Sequence, residues 1–326
     1  MENLKIKLLV TGATGFIGQS LCKKLQGSEY CIRALARESS DSSKLERNSS
    51  NIEVVFGELS DKESLGHACK NIDIVIHLAG IAHVNNVASN AFQQTIYDGS
   101  KNLFDSAIAN KVKKIVFLSS VLAEAAENFD DEVTAYGQAK YNAEVYLKNA
   151  CANSATDYLI LRPVNVYGPD MKGNIMSMVR WIRKGILPSL PNVTTKISLI
   201  SVNDLVELVE LSLIHPKAEN KCFTVSESTP YELLEIEKAI YQALEKKIPT
   251  SHTPRMLLYA AAGASGLIAK MLEIFGLRPP WGGINLRTYR NLISDSVYTS
   301  ESLCSELGFI PSRNFYDELP SIVEKT

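Results

Sequence analysis

Apolar residues in the first half of the chain gather into short runs of strand length, separated by stretches in which they recur at helical spacing. Residues 4–10, 31–36, 52–57, 72–79 and 114–119 form the runs, and 158–162 and 197–200 extend the series. The helical stretches are 18–25, 61–68, 91–110 and 135–150. This alternation predicts a doubly wound α/β fold, a parallel sheet with helices on both faces. Residues 38–50 are rich in Ser, Asp and Asn and read as a surface loop. After Pro169 the alternation weakens, and helices are expected at 175–184, 204–214, 231–244 and 300–307. Neither an internal repeat nor a long linker interrupts the chain, so a second, smaller α/β domain is expected to interleave with the first. The boundaries expected are 1–168 with 196–225 for the larger domain, and 169–195 with 226–326 for the smaller. The apolar stretch within 256–277 stops at Lys270, too short for a membrane span. It reads as a buried or amphipathic helical pair, with contact to a membrane surface as the alternative.

Composition narrows the picture. The 326 residues are 45% hydrophobic and 21% charged, ordinary for a soluble protein with a sizeable core. A net charge of −2 leaves no overall basic footprint for nucleic acid. The cysteines at 22, 31, 69, 151, 222 and 304 form no Cys-x-x-Cys pair, as expected in a reducing compartment, and Cys22, Cys31 and Cys69 read as small core residues. No signal-peptide pattern follows Met1, so a cytoplasmic location is expected. His67, His215 and His252 lack metal-ligand spacing, and no metal is expected.

The first run leads into Thr11-Gly12-Ala13-Thr14-Gly15-Phe16-Ile17-Gly18, which opens a helix. Strand, glycine turn and helix N-terminus together make an anion site. The backbone can approach a pyrophosphate where no Cβ intrudes, and the helix dipole favours its charge. The larger domain is therefore expected to bind a dinucleotide through this turn.

Tyr136-Gly137-Gln138-Ala139-Lys140 puts a phenol and an ammonium four residues apart, on one face of a helix. A nearby ammonium is expected to lower the phenol from about 10 towards neutrality. Such a phenol can exchange a proton with a sugar hydroxyl or ketone. The fifth strand ends in Ser119-Ser120, whose hydroxyls can reach the same site. Strand alternation does not decide which of the two faces inward.

With His77-Leu78-Ala79-Gly80 and Leu161-Arg162-Pro163 through Tyr167-Gly168-Pro169, these motifs resemble the extended short-chain dehydrogenases, the nucleotide-sugar epimerase, dehydratase and reductase family. The resemblance covers nearly the whole chain. It implies Ser120, Tyr136 and Lys140 as the catalytic residues, Ser120 also touching substrate. It implies a dinucleotide held by Gly12, Thr14, Gly15, Phe16, Ile17 and Gly18, by Leu78, Ala79 and Gly80, and by Tyr136 and Lys140. Lys140 would contact the nicotinamide ribose, Pro163 and Val164 would approach the carboxamide, and Glu58 and Leu59 would lie near adenine. His83, Asn165 and Asn174 are candidate substrate contacts, each with a loop or turn role as its alternative. His77 reads as a satisfied core residue, and Arg180, Arg183 and Lys184 as a solvated helix face. A homodimer is what the family implies.

Lys172-Gly173-Asn174, the segment Ser198-Leu199-Ile200-Ser201-Val202-Asn203-Asp204-Leu205 and Phe223-Thr224-Val225-Ser226 resemble bacterial surface-polysaccharide members acting on UDP-linked N-acetylated hexoses. Val121-Leu122 follows Ser120 where family dehydratases carry Asp-Glu, which disfavours dehydration. Ile96 stands where the family often has Asn, which removes one helix-to-sheet polar link. The second strand ends in Ala36-Arg37 rather than in a carboxylate. Arg37 can pair with a 2′-phosphate, so NADP is expected, with NAD as the alternative. The function expected is reduction at C4 of a UDP-4-keto-6-deoxy-N-acetylhexosamine for surface polysaccharide. The alternatives are a UDP-hexose or UDP-N-acetylhexosamine 4-epimerase, and a silent dinucleotide-sensing or scaffold protein.

Overall fold

A computed structural model describes residues 5–46, 51–80, 92–130, 133–274 and 286–325. Its strands are β1 (Lys7–Thr11), β2 (Cys31–Ala36), β3 (Ile52–Phe56), β4 (Ile74–His77), β5 (Lys114–Leu118), β6 (Asp157–Pro163), β7 (Asn165–Tyr167), β8 (Lys196–Ile197), β9 (Leu199–Ser201), β10 (Lys221–Val225) and β11 (Tyr231–Glu232). In the first half the helices are α1 (Phe16–Lys24), α2 (Ser43–Glu46), α3 (Lys62–Cys69), α4 (Gly99–Ala109), α5 (Leu122–Glu127) and α6 (Ala135–Ala152). They continue as α7 (Asn174–Lys184), α8 (Val202–Ile214), α9 (Leu233–Ala243), α10 (Arg255–Ile274), α11 (Leu286–Ile293), α12 (Glu301–Leu307) and α13 (Phe315–Glu324).

The chain forms two compact units. The first is Met1–Val164, Val202–Ser226 and Ser300–Ser312; the second is Asn165–Ser201, Glu227–Thr299 and Arg313–Thr326. The first unit holds a seven-stranded sheet in the order β10-β6-β5-β4-β1-β2-β3, parallel throughout. Every residue of β4 and β5 is buried, as strands covered on both faces require. One face packs Leu9, Val75, Phe104, Ile115, Phe117, Leu147 and Ile160 into a continuous core. Strand order reverses between β1 and β4: β2 and β3 follow β1 to one side, β4 to β6 to the other.

Three local features depart from the expected elements. The stretch 91–110 is not one regular helix: Gln93–Asp98 form a π-helical turn before α4. Helix α5, not among the expected helices, follows β5. The expected helix 231–244 begins as the two-residue strand β11, which pairs antiparallel with β8.

The second unit contains the pairs β11-β8 and β7-β9. An aromatic cluster centres on Phe315, whose ring meets Tyr167 at 5.3 Å and Tyr231 at 6.0 Å edge-on. The boundaries differ from those expected. Residues 196–201 belong to the second unit, because β8 and β9 pair with β11 and β7. Ser300–Ser312 return to the first, where Ser300 hydrogen-bonds Ser226 and Lys221 pairs with Glu306 at 2.6 Å.

Candidate active site

The candidate residues of the first unit gather at the carboxyl ends of the parallel strands, beside the reversal in strand order. In open α/β sheets that crevice is where ligands bind. The glycine turn sits at the end of β1. Gly12 adopts φ +72°, and a Cβ there would lie 2.7 Å from Ala79 N, against the segment that leaves β4. A Cβ on Gly18 would lie 2.1 Å from Gly12 O, so α1 packs directly on the turn. Gly15 differs: it is exposed, and a Cβ there would meet only Gly12 O, at 3.1 Å. Gly15 is also the N-cap of α1 and brings no side chain to the helix start. A bare helix N-terminus of this kind suits a phosphate. The Gln19 amide donates to Thr14 O at 2.7 Å and closes the turn.

Behind the turn, His77 is buried at the end of β4, stacked on Phe117 with ring centroids 5.4 Å apart. Its Nδ1 lies 2.6 Å from Thr11 Oγ1 and its Nε2 lies 2.9 Å from Ser100 Oγ. The Ser100 hydroxyl donates to Ile96 O, so Ser100 accepts from Nε2–H and Nδ1 accepts from Thr11. Thr11 Oγ1 in turn accepts from the Ala79 N–H at 3.3 Å. The chain of donors fixes one neutral tautomer, and burial with the charge of Lys140 pushes the imidazole down to about 3. His77 thus ties the glycine turn, the end of β4 and the π-helical turn together. It is a satisfied core residue.

Ser119 and Ser120 point differently. Ser119 is buried and donates to Glu144, whereas Ser120 faces the phenol of Tyr136 in a hydrogen bond that favours phenolate. Tyr136 lies in the first turn of α6, which Thr134 caps by accepting from Gly137 N–H at 2.8 Å. A Cβ at Gly137 would lie 2.1 Å from Leu122 O, so α6 starts hard against α5. Phe92 meets the Tyr136 ring edge-on at 6.1 Å.

Lys140 is buried one turn further along. Its Nζ donates to Leu118 O at 2.7 Å, stands 4.6 Å from the Phe117 ring centre and lies 3.7 Å from where a Cβ on Gly80 would be. Burial lowers the ammonium to about 8, against the attraction of Glu144. The phenol is not lowered as the spacing suggests. Burial outweighs the Ser120 hydrogen bond and raises Tyr136 to about 12, while Lys140 is engaged by the Leu118 carbonyl.

Glu144, fully buried, receives Arg162 of β6 through Nε at 3.0 Å and through a terminal nitrogen at 2.5 Å. Arg162 also reaches Glu127 of α5 at 2.6 Å. Glu144 follows Lys140 by four residues and Tyr136 by eight, a repeat visible in the sequence and overlooked there.

Pro163 and Val164 close the edge of the site: Pro163 O accepts from Val121 N–H at 3.2 Å, and Val164 N–H donates to Val225 O at 3.1 Å. Arg37 is exposed just past β2, and Glu58 is exposed just past β3. Leu59 packs against Gly99, where a Cβ would lie 3.0 Å from its own. Leu78 and Ala79 wall the glycine turn. Asn165 and Asn174 belong to the second unit, exposed as the first residues of β7 and α7. His83 lies outside the described residues. Among the described residues, no group of three or more His, Cys, Asp or Glu could hold a metal ion.

The model of the NAD dependent epimerase/dehydratase family matches residues 8–225, from β1 through β10. The chain belongs to that family. A UDP-glucose 4-epimerase of Vibrio cholerae is 31% identical over 264 residues, 76% of this chain and 78% of its own. The N-acetyl-alpha-D-glucosaminyl-diphospho-ditrans,octacis-undecaprenol 4-epimerase of Escherichia coli O157:H7 is 24% identical, over 76% of this chain and 75% of its own. The structure of UDP-N-acetylglucosamine 4-epimerase from Methanobrevibacter ruminantium M1, in complex with UDP-N-acetylmuramic acid, superimposes with a TM-score of 0.75 at 22% identity, covering 98% of each chain. At that identity the likeness is one of fold.

The doubly wound fold and a nicotinamide-dependent enzyme, both expected from the sequence, therefore hold for this chain. Its own residues fit the dinucleotide: the wall beside Gly12 admits no Cβ, Gly15 is bare at the helix start, and Lys140 sits buried beside Gly80.

Proposed function

We propose that the protein reduces the C4 ketone of a UDP-linked 4-keto-6-deoxy-N-acetylhexosamine. The observation that carries this reading is the placement of Tyr136 in the first turn of α6, with Ser120 at its phenol and buried Lys140 one turn further on, where burial favours the protonated phenol. A protonated phenol is a general acid, suited to delivering a proton to an oxygen that gains negative charge. The nicotinamide, when bound, supplies hydride to the sugar carbon. Tyr136 gives its proton to the C4 oxygen, Ser120 orients that oxygen, and Lys140 presents its cation to the ribose and to the phenol as it loses the proton. Gly12 to Gly18 would hold the pyrophosphate, Glu58 and Leu59 the adenine side, and Pro163 and Val164 the carboxamide. Asn165 and Asn174 are the proposed sugar-nucleotide contacts in the second unit.

Arg37 supports NADP as the reductant. It is exposed at the end of β2, where a carboxylate would repel a 2′-phosphate. The 4-epimerase reading has its own support, because relatives that span three quarters of the chain carry that name. The two readings separate in one assay. Purified protein is given a UDP-4-keto-6-deoxy-N-acetylhexosamine with NADPH or NADH, and separately UDP-N-acetylglucosamine with no added reductant. Oxidation of NADPH in the first, with the preference reversed by Arg37→Asp, is the expected outcome. Conversion of UDP-N-acetylglucosamine to its C4 epimer without reductant consumption would replace the proposal with the epimerase.

A further inference from the structure

The most unusual surface of the second unit is α10. From 256 to 269 it runs for fourteen residues without a charge, bounded by Arg255 and Lys270. Among the described side chains of its first half, Ala262 is buried and Leu258 half-buried, and Tyr259 meets Tyr289 of α11 edge-on at 5.3 Å. Around the rest of its first half the helix exposes Met256 (85%), Leu257 (61%) and Tyr259 (55%), with Ala260, Ala261 and Ala264 also exposed. Contiguous apolar side chains on a soluble surface mark a contact site.

Charge identifies the occupant. Residues 255–293 carry Arg255, Lys270, Arg278, Arg287 and Arg290 against the single acid Glu273. The segment is thus net +4 on a chain that totals −2, so the remainder carries −6. A protein partner with an apolar groove needs no such asymmetry, whereas an anionic bilayer attracts this segment and repels the rest of the chain. The uncharged stretch is about 21 Å long as a helix, short of the ~30 Å hydrocarbon layer. Among the described residues no helix is long and apolar enough to cross a membrane. A helix of this kind lies in the interface with its apolar side chains in the acyl boundary. At its start, Arg255 is held by the Asn192 carbonyl at 2.7 Å.

We propose that the exposed first half of α10 docks the protein onto an anionic lipid surface, the net positive charge of residues 255–293 in the sequence adding attraction. The test is co-sedimentation of the full-length protein with vesicles of phosphatidylglycerol and phosphatidylcholine in equal parts, and with vesicles of phosphatidylcholine alone. Binding to the anionic vesicles that weakens about tenfold on the neutral ones, and that high salt releases, is expected. The double variant Met256→Glu, Leu257→Glu replaces two exposed side chains of the second unit, whereas the catalytic residues belong to the first. It should keep the melting temperature and turnover of a soluble substrate while losing vesicle binding about tenfold or more. Absence of binding to the anionic vesicles, or equal binding by the variant, overturns the proposal. Conversion of a dimer to a monomer by the same substitutions, without vesicle binding by the wild type, would assign the surface to a second copy of the chain instead.

Discussion

Lys140 offers a test in which Lys140→Met loses catalysis at every pH but falls behind in stability only as pH rises. The ammonium is 3% exposed, with Leu118 O as its hydrogen-bond acceptor. Below about pH 8 the lysine is protonated in both folded and unfolded chains, and the cost of burying the cation is felt in full. Above it the folded chain releases the proton first, the unfolded chain binds more protons, and stability climbs with pH. With about 8 in the folded chain against 10.5 for an ordinary lysine, the wild type should gain about 2 kcal/mol between pH 7 and pH 9.5, rising to about 3 kcal/mol once both states are deprotonated. Lys140→Met lacks this gain. It leaves the Leu118 carbonyl without its donor, a cost of about 1–3 kcal/mol that does not vary with pH. The absolute difference at pH 7 is therefore small, and the slope is decisive. Urea unfolding of both proteins at half-unit steps of pH should show the wild type pulling ahead as pH rises, while the variant has lost turnover and cofactor affinity at every pH. Curves that stay parallel within about 0.5 kcal/mol would refute the buried cation.

Other expectations follow from single contacts. Tyr136→Phe removes the proton donor and should lower turnover about 10²–10⁴-fold, while the cofactor-induced shift in melting temperature is kept; near-normal turnover would end the assignment. Glu144→Gln leaves Arg162, itself 5% exposed, with Glu127 as its remaining carboxylate partner, and should cost about 3–5 kcal/mol in denaturant unfolding. Two glycines make a matched pair. A Cβ at Gly18 would meet the Gly12 carbonyl at 2.1 Å, so Gly18→Ala should abolish the dinucleotide-induced thermal shift. Gly66, within α3, has nothing within 4 Å of a Cβ, so Gly66→Ala should stabilise by about 0.5–1 kcal/mol. A destabilised Gly66→Ala would contradict the helix.

The first-half sheet is legible because its strands are buried on both faces, and β4 and β5 therefore appear as unbroken apolar runs. The glycine turn is legible because steric exclusion at Gly12 and Gly18 restricts the residue type itself. The π-helical turn at Gln93–Asp98 is not, because one extra residue in a turn barely disturbs an apolar pattern. Strands β7 and β11 span three and two residues, too few for any period to register, and the run 197–200, legible as one strand, is divided between β8 and β9. In the site, spacing put Tyr136 and Lys140 on one helix face but could not foresee that the ammonium turns to Leu118 O. The Thr11–His77–Ser100 chain joins residues more than twenty apart, and its signal was only a histidine inside a strand.

The chain passes between its two compact units after residues 164, 201, 226, 299 and 312. No single cut yields either unit by itself, so a gene fragment ending at any one of these points encodes an incomplete sheet or an incomplete partner. Recombination between relatives that exchanges a carboxy-terminal half would import β10 with foreign contacts to β6. Specificity in such a chain diverges by substitution and loop replacement within an intact frame, and a laboratory chimera must carry five junctions to move the second unit alone.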